Sequence, residues 1–88
     1  MFQQVKAAAI SFVPQKFELE SNANQLEIMF REAAANGAEL ALGPEGVLEG
    51  YVVNEIIAGE VPAKKMRDVA ISLRDPIINR FRALAREL

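Results

Sequence analysis

The stretch Ala38-Glu39-Leu40-Ala41-Leu42-Gly43-Pro44 decides the fold of this chain. It is short and apolar, stands directly behind a helical pattern that stops at Asn36-Gly37, and is closed by Gly43-Pro44, so it reads as a strand over Ala38 to Gly43. Upstream, Val5 to Val13 is apolar apart from Lys6 and Ser11 and is halted by Pro14, which predicts a first strand buried on both faces. Between the two, Ser21 and Asn22 offer N-cap chemistry, and Leu26, Phe30 and Ala33 follow at spacings of four and three. Strand, amphipathic helix and strand make a βαβ unit, whose crossover is overwhelmingly right-handed and leaves its strands parallel.

Beyond Pro44 the pattern loosens. Glu45 to Pro62 mixes glycines, acids and small apolar residues and reads as an ordered loop, with a helical turn over Asn54 to Ala58. Lys64 to Leu73 reads as a short helix. Asp75-Pro76 then sets a capping residue and a first-turn proline before Ile77, Phe81, Leu84 and Leu88, whose spacings of four, three and four form one core-facing stripe. No repeat or Ser/Gly-rich linker divides the chain, so residues 1–88 read as one continuous unit. Two parallel strands and their helices do not cover both faces of a sheet, and the expectation is an incomplete α/β architecture that opens a larger domain.

Composition narrows the functional classes. With 51% hydrophobic and 25% charged residues the chain is too apolar for disorder, and a packed core is expected. A net charge of −2, spread along the sequence, offers no footprint for nucleic acid or anionic lipid, and the Lys64-Lys65 and Arg67 cluster reads as a solvated helix face. Cys and His are both absent, which removes disulfides, thiolate nucleophiles and the commonest metal ligands from these residues. Gly43, Gly46 and Gly50 form neither a dinucleotide fingerprint nor a phosphate loop, so no cofactor and no metal is expected. The apolar run from Ala7 lacks a charged leader, and nothing approaches the roughly 18 apolar residues of a membrane span, so a cytoplasmic protein is the expectation.

In a parallel α/β sheet ligands bind beyond the carboxyl ends of the strands, and Glu45 stands at that address. Pro44 fixes its own φ and biases Gly43 toward extended geometry, which makes the turn presenting Glu45 stiff. A carboxylate so held is a candidate general base. The plainer alternative is a turn with a solvated glutamate, and spacing does not decide between them. Tyr51 and Asn54, in the same loop, are candidate pocket residues; the alternatives are that Tyr51 packs the loop onto the sheet and Asn54 caps a helix. Glu49 and Glu55 read as solvated charges.

The residues Pro44-Glu45-Gly46-Val47-Leu48-Glu49-Gly50-Tyr51 resemble the P-E-x-x-L-x-G-Y stretch that follows the second strand in carbon–nitrogen hydrolases of the nitrilase superfamily. Asn22, Gly37-Ala38 and Leu40 to Leu42 are similar to the preceding parts of that family in order and spacing, so the resemblance spans nearly the whole chain. It implies a βαβα opening segment of a four-layer αββα sandwich and a Glu-Lys-Cys triad, in which Glu45 matches the general base. It also implies a small amide or nitrile as substrate and a homo-oligomer. Lys6, Lys16, Lys64 and Lys65 lie outside the family's lysine motif and no cysteine is present, so the 88 residues alone are expected to be inactive. One position departs from the family pattern: a bulky apolar residue usually precedes the Pro-Glu pair, where this chain has Gly43.

Two other functional classes compete with a hydrolase. One is a non-catalytic α/β fragment or interaction module that pairs through its open sheet edge and forms a defined oligomer. The other is a small α/β binding module that holds a metabolite in the loop after the second strand.

Overall fold

A computed structural model describes residues 3–88. Strand β1, Ala7–Ala9, and strand β2, Leu40–Leu42, pair in parallel with Ala7 opposite Leu40, Ala8 opposite Ala41 and Ala9 opposite Leu42. Helix α1, Leu19–Ala35, makes the crossover between them. The βαβ unit is thus present, with strands shorter than Val5 to Val13 and Ala38 to Gly43. Pairing is limited by the partner: one more backbone bond forms at each end, from Glu39 N to Lys6 O at 2.8 Å and from Ile10 N to Leu42 O at 2.8 Å. Outside that register Val5 and Val13 have no strand across from them, and Val13 is 94% exposed.

Alternation along each strand separates two faces. Ala8 and Ala41 are half-buried, whereas Ala7, Ala9, Leu40 and Leu42 are exposed. Burial of the first strand on both faces is therefore not found: Ala7 and Ala9 are exposed, and no second layer covers their face among the described residues.

Helix α4, Pro76–Glu87, starts as the sequence predicts, with Asp75 Oδ1 accepting from Ile77 N at 2.9 Å and Pro76 in the first turn. It runs alongside α1. Arg80 donates to Asn24 and Arg31 pairs with Glu87, both across 56 residues of sequence, so the two helices point the same way. Phe30 and Phe81 meet edge to face, with ring centroids 5.9 Å apart at 84°. Ala23 and Leu26 from α1, Ile77 and Leu84 from α4, and Val52 between them are the buried apolar residues. Leu88, expected on the core-facing stripe, is instead half-exposed at the end of the chain. Between α2, Val53–Ile57, and α4 lies α3, Ala63–Asp68. These short helices occupy the places where a helical turn over Asn54 to Ala58 and a helix within Lys64 to Leu73 were expected, shifted by one residue at their starts and, in α3, ending earlier.

The core is small for the chain. The Cα radius of gyration is 15.1 Å, against about 12 Å for a compact domain of this length. Accessible surface totals 6627 Å², against about 5,100 Å² for a monomer of this mass. The difference arises from the uncovered sheet face and from exposed apolar residues such as Leu42, Ile57 and Leu73.

Charged groups bind α4 to α1. Arg80 Nε donates to Glu27 Oε1 at 2.8 Å, Arg31 Nε donates to Glu27 Oε2 at 3.0 Å, and Arg31 also pairs with Glu87. Hydrogen bonds from Arg80, then from Arg31, hold the Glu27 carboxyl below its ordinary value of 4.5. Glu87, then Glu27, push the Arg31 guanidinium upward. Because a depressed folded-state pKa means that the unfolded chain binds more protons on acidification, this network stabilises above pH 4.5 and is lost as pH falls below it. The melting temperature is expected to be flat near neutrality and to decline below about pH 4.5, with Glu27→Gln shallower in that window. An unchanged acid limb in Glu27→Gln would show that the network contributes nothing measurable, as exposed pairs often do.

Candidate active site

The carboxyl ends of β1 and β2 lead into two loops, Ile10 to Glu18 and Gly43 to Val52, and these loops are joined to each other. Gly43 comes first. A Cβ placed there would lie 3.0 Å from Leu26 Cδ1 and 3.7 Å from Phe30 Cζ, so α1 already fills the space that a bulky residue before Pro44 would occupy.

Glu45 opens the run of turn geometry over residues 45–50 and is exposed, three residues beyond the last residue of β2. Its carboxylate is open to an incoming molecule at the carboxyl end of the sheet. The turn behind it closes through Gly46 O, which accepts from Gly50 N at 3.1 Å and from Tyr51 N at 2.9 Å. Glu49 is not a free solvated charge: its Oε2 accepts from Tyr51 N at 2.5 Å. Tyr51 is 43% exposed, its ring lies beside Gly46, and it takes a left-handed φ of 54°. Phe17 in the facing loop does the same, with φ 63°. Two aromatic residues in a conformation that side chains disfavour, one in each of the joined loops, mark a geometry imposed by the surroundings.

The junction is held by four contacts. Phe17 N donates to Glu49 O at 2.8 Å. Gly50 lies against the Gln15 and Lys16 backbone, where a Cβ would come within 2.6 Å of both Gln15 O and Lys16 Cα. Lys16 Nζ pairs with Glu55, the partly buried acid of α2. Finally Asn22, 2% exposed, reaches both loops: Oδ1 accepts from Gln15 N at 2.7 Å, and Nδ2 donates to Gln15 O at 2.7 Å and to Leu48 O at 2.8 Å.

Asn22 was expected as a helix cap together with Ser21. Helix α1 instead begins at Leu19, with no side-chain cap bond from Glu18, and Asn22 sits inside its first turn. Helical side chains lean toward the N-terminus, so the carboxamide reaches back over Gln15. Asn54 likewise is no cap: Val52 precedes α2 without a side-chain bond, while Asn54 is exposed and its backbone O accepts from Ala58 N at 2.9 Å. Glu55, expected to be solvated, is held below its ordinary value by its bond from Lys16, and its Oε2 is buried with no partner among the described residues.

The structure thus brings Glu45 and Tyr51 into one loop with Glu49 and Gly50, and leaves Asn54 on the exposed side of α2. Lys65 stands with Nζ 4.7 Å from the Phe17 ring centroid, and Lys16 is engaged with Glu55. No group of three acidic, His or Cys side chains is placed to hold a metal among the described residues. Two grooves among the described residues are each lined by residues other than Glu45, Tyr51 and Asn54. One, of about 510 Å³, runs beside Leu40 and Ala41 of β2 and is walled by Phe30, Phe81, Leu84 and Leu88. The other, of about 210 Å³, lies between Phe12, Gln15, Asn22 and Gln25. Asn22, the Gly50 close approach and the Lys16–Glu55 pair were not foreseen; a glycine pair four residues apart, Gly46 and Gly50, was the available signal.

Fold and loops together define a small α/β unit with a carboxylate presented at the carboxyl end of a parallel strand pair. No family model, curated protein or solved structure matches the chain.

Proposed function

We propose that this chain forms the opening βαβα segment of a carbon–nitrogen hydrolase with a four-layer αββα sandwich, and that Glu45 is its general base. The observation that carries the reading is the position of Glu45: an exposed carboxylate on a braced turn directly beyond β2, within a stretch resembling the nitrilase motif. Exposed Leu40 and Leu42 and the surface in excess of a compact monomer support a sheet whose free face takes another layer. The cysteine of such a triad comes from polypeptide other than these 88 residues, which contain none, and the lysine is likewise not assigned to Lys6, Lys16, Lys64 or Lys65, which lie outside the motif that the resemblance implies.

In this mechanism Glu45 accepts the thiol proton as the cysteine sulfur attacks an amide or nitrile carbon. For an amide, a carbon–sulfur bond forms, the carbon–nitrogen bond breaks, and the proton leaves with the amine. Glu45 then takes a proton from water as the water oxygen attacks the acyl carbon; the carbon–sulfur bond breaks, the carboxylic acid leaves, and Glu45 returns the proton to the sulfur. The lysine stabilises the charge that develops on the substrate. Asn54, on the exposed side of α2, has no part in this scheme, whereas Tyr51, whose ring lies beside Gly46, is the candidate pocket residue next to the Glu45 turn. The test is ammonia or amine release from a panel of simple amides and nitriles by the polypeptide that carries these residues. Release that vanishes on Glu45→Gln supports the reading. Release that survives that change in a folded protein rejects Glu45 as the base, and no release from the 88 residues alone is expected.

A second reading is favoured by the groove beside β2. Its apolar walls and the unpaired edge of a two-stranded sheet suit pairing with a second copy of the chain. That arrangement gives a defined oligomer in light scattering; a monodisperse monomer rejects it.

A further inference from the structure

One buried carboxamide joins the two loops at the carboxyl end of the sheet. Asn22 satisfies the N–H and the C=O of Gln15 together, as a neighbouring strand would, and spends its second N–H on Leu48 O. Both of its donors face carbonyls and its oxygen faces an N–H, so only one orientation of the amide fits. Leu48 lies within the turn that Glu45 opens, three residues further on. Beside this bond, Phe17 N to Glu49 O and the close approach of Gly50 to Gln15 complete the seam. A buried amide with all of its N–H groups engaged is costly to disturb, because Asn22 itself is 2% exposed and its polar atoms have no water to turn to in place of Gln15 and Leu48.

We infer that Asn22 is the positioning residue of the Glu45 turn: it touches no reacting atom, and it sets where the turn stands relative to α1 and β1. The inference rests on the reading of Glu45 as the base. A helix is a rigid mount and a loop is not, so an anchor in the first turn of α1 gives an exposed carboxylate a fixed place over the sheet.

Two measurements test it. In the 88-residue chain, amide hydrogen exchange is followed in Asn22→Ala and in Asn22→Asp, which keeps an acceptor for Gln15 N and loses both donors. The expected result is exchange accelerated roughly 10- to 100-fold at Phe17, Gly50 and Tyr51 with the α4 amides unchanged. Leu84→Ala, a core truncation away from the loops, is expected to accelerate exchange in both regions alike. In the complete hydrolase, Asn22→Asp is expected to lower kcat by roughly 10- to 100-fold with KM within about threefold, and to add nothing to the loss caused by Glu45→Gln. Uniform acceleration in the Asn22 variants overturns the inference, because Asn22 is then a general stability residue, and no acceleration overturns it because Asn22 then anchors neither loop. Unchanged kcat in Asn22→Asp while Glu45→Gln is inactive also overturns it and leaves the base in place. A fully active Glu45→Gln removes the base and this role together.

Discussion

On the proposed reading of Glu45 as the general base of a carbon–nitrogen hydrolase, Glu45→Gln in the polypeptide that carries these residues is expected to lower kcat by about 10²- to 10⁴-fold, the range associated with one general acid or base. The substitution keeps the length and polarity of the side chain and removes only its ability to accept a proton. Glu45 is exposed at the start of its turn, so no buried partner is orphaned and stability should change by less than about 0.5 kcal/mol. KM should hold within a few-fold, since the thiol proton is transferred in the transition state and not on binding. The neighbouring acid is the control. Glu49 accepts from Tyr51 N, so Glu49→Gln should loosen the turn and leave turnover within about tenfold. If Glu49→Gln is the dead variant and Glu45→Gln the active one, the two carboxylates have been assigned in the wrong order.

Gly50→Ala is expected to be the most destabilising single-methyl change in the chain. Gly50 has φ +92°, which alone costs an alanine about 1–3 kcal/mol. Its new Cβ would also stand 2.6 Å from Gln15 O and from Lys16 Cα, and both are backbone atoms that cannot rotate away. Overpacking of this kind adds a further ~1–3 kcal/mol. Together these take a large share of the roughly 4–13 kcal/mol available to a domain of this length. Two other glycines separate the contributions. Gly59 has φ +78° with open space around it, so Gly59→Ala should show the conformational part alone. At Gly43 the nearest atom is the flexible Leu26 Cδ1, so Gly43→Ala should cost less than about 1.5 kcal/mol. Urea unfolding of the three variants gives the order directly, and a Gly50→Ala midpoint no lower than that of Gly59→Ala would mean that the two loops do not meet as described.

The position of Glu45 also explains why its loop needs bracing. An exposed carboxylate at the end of a three-residue strand inherits little order from the sheet. Here that order comes from outside the strand, through Asn22 on α1, through Gly50 against Gln15, and through Lys16 on Glu55 of α2. Phe17 and Tyr51 carry the resulting backbone strain on either side of the seam.

Local chemistry made several features legible in the sequence. Asp75 and Pro76 start α4 because a short acceptor and a residue without an N–H suit the first turn of any helix. Asn36-Gly37 ends α1, and Gly43-Pro44 ends β2 and puts Glu45 at its carboxyl end, because these residues act on their own backbone. Parallel pairing of β1 and β2 followed from the helix between them. What only the tertiary structure decided depends on partners distant in sequence. Apolar runs alone cannot say which face of a strand is covered, so Val5 to Val13 reads as buried on both faces although Ala7 and Ala9 are exposed and only the Ala8 and Ala41 face is sheltered. Asn22 has the chemistry of a cap and of a buried clamp alike. Gln15 and Leu48, 7 and 26 residues away, made it a clamp, because a carboxamide leaning back from the first turn of α1 meets both loops only once the chain has folded.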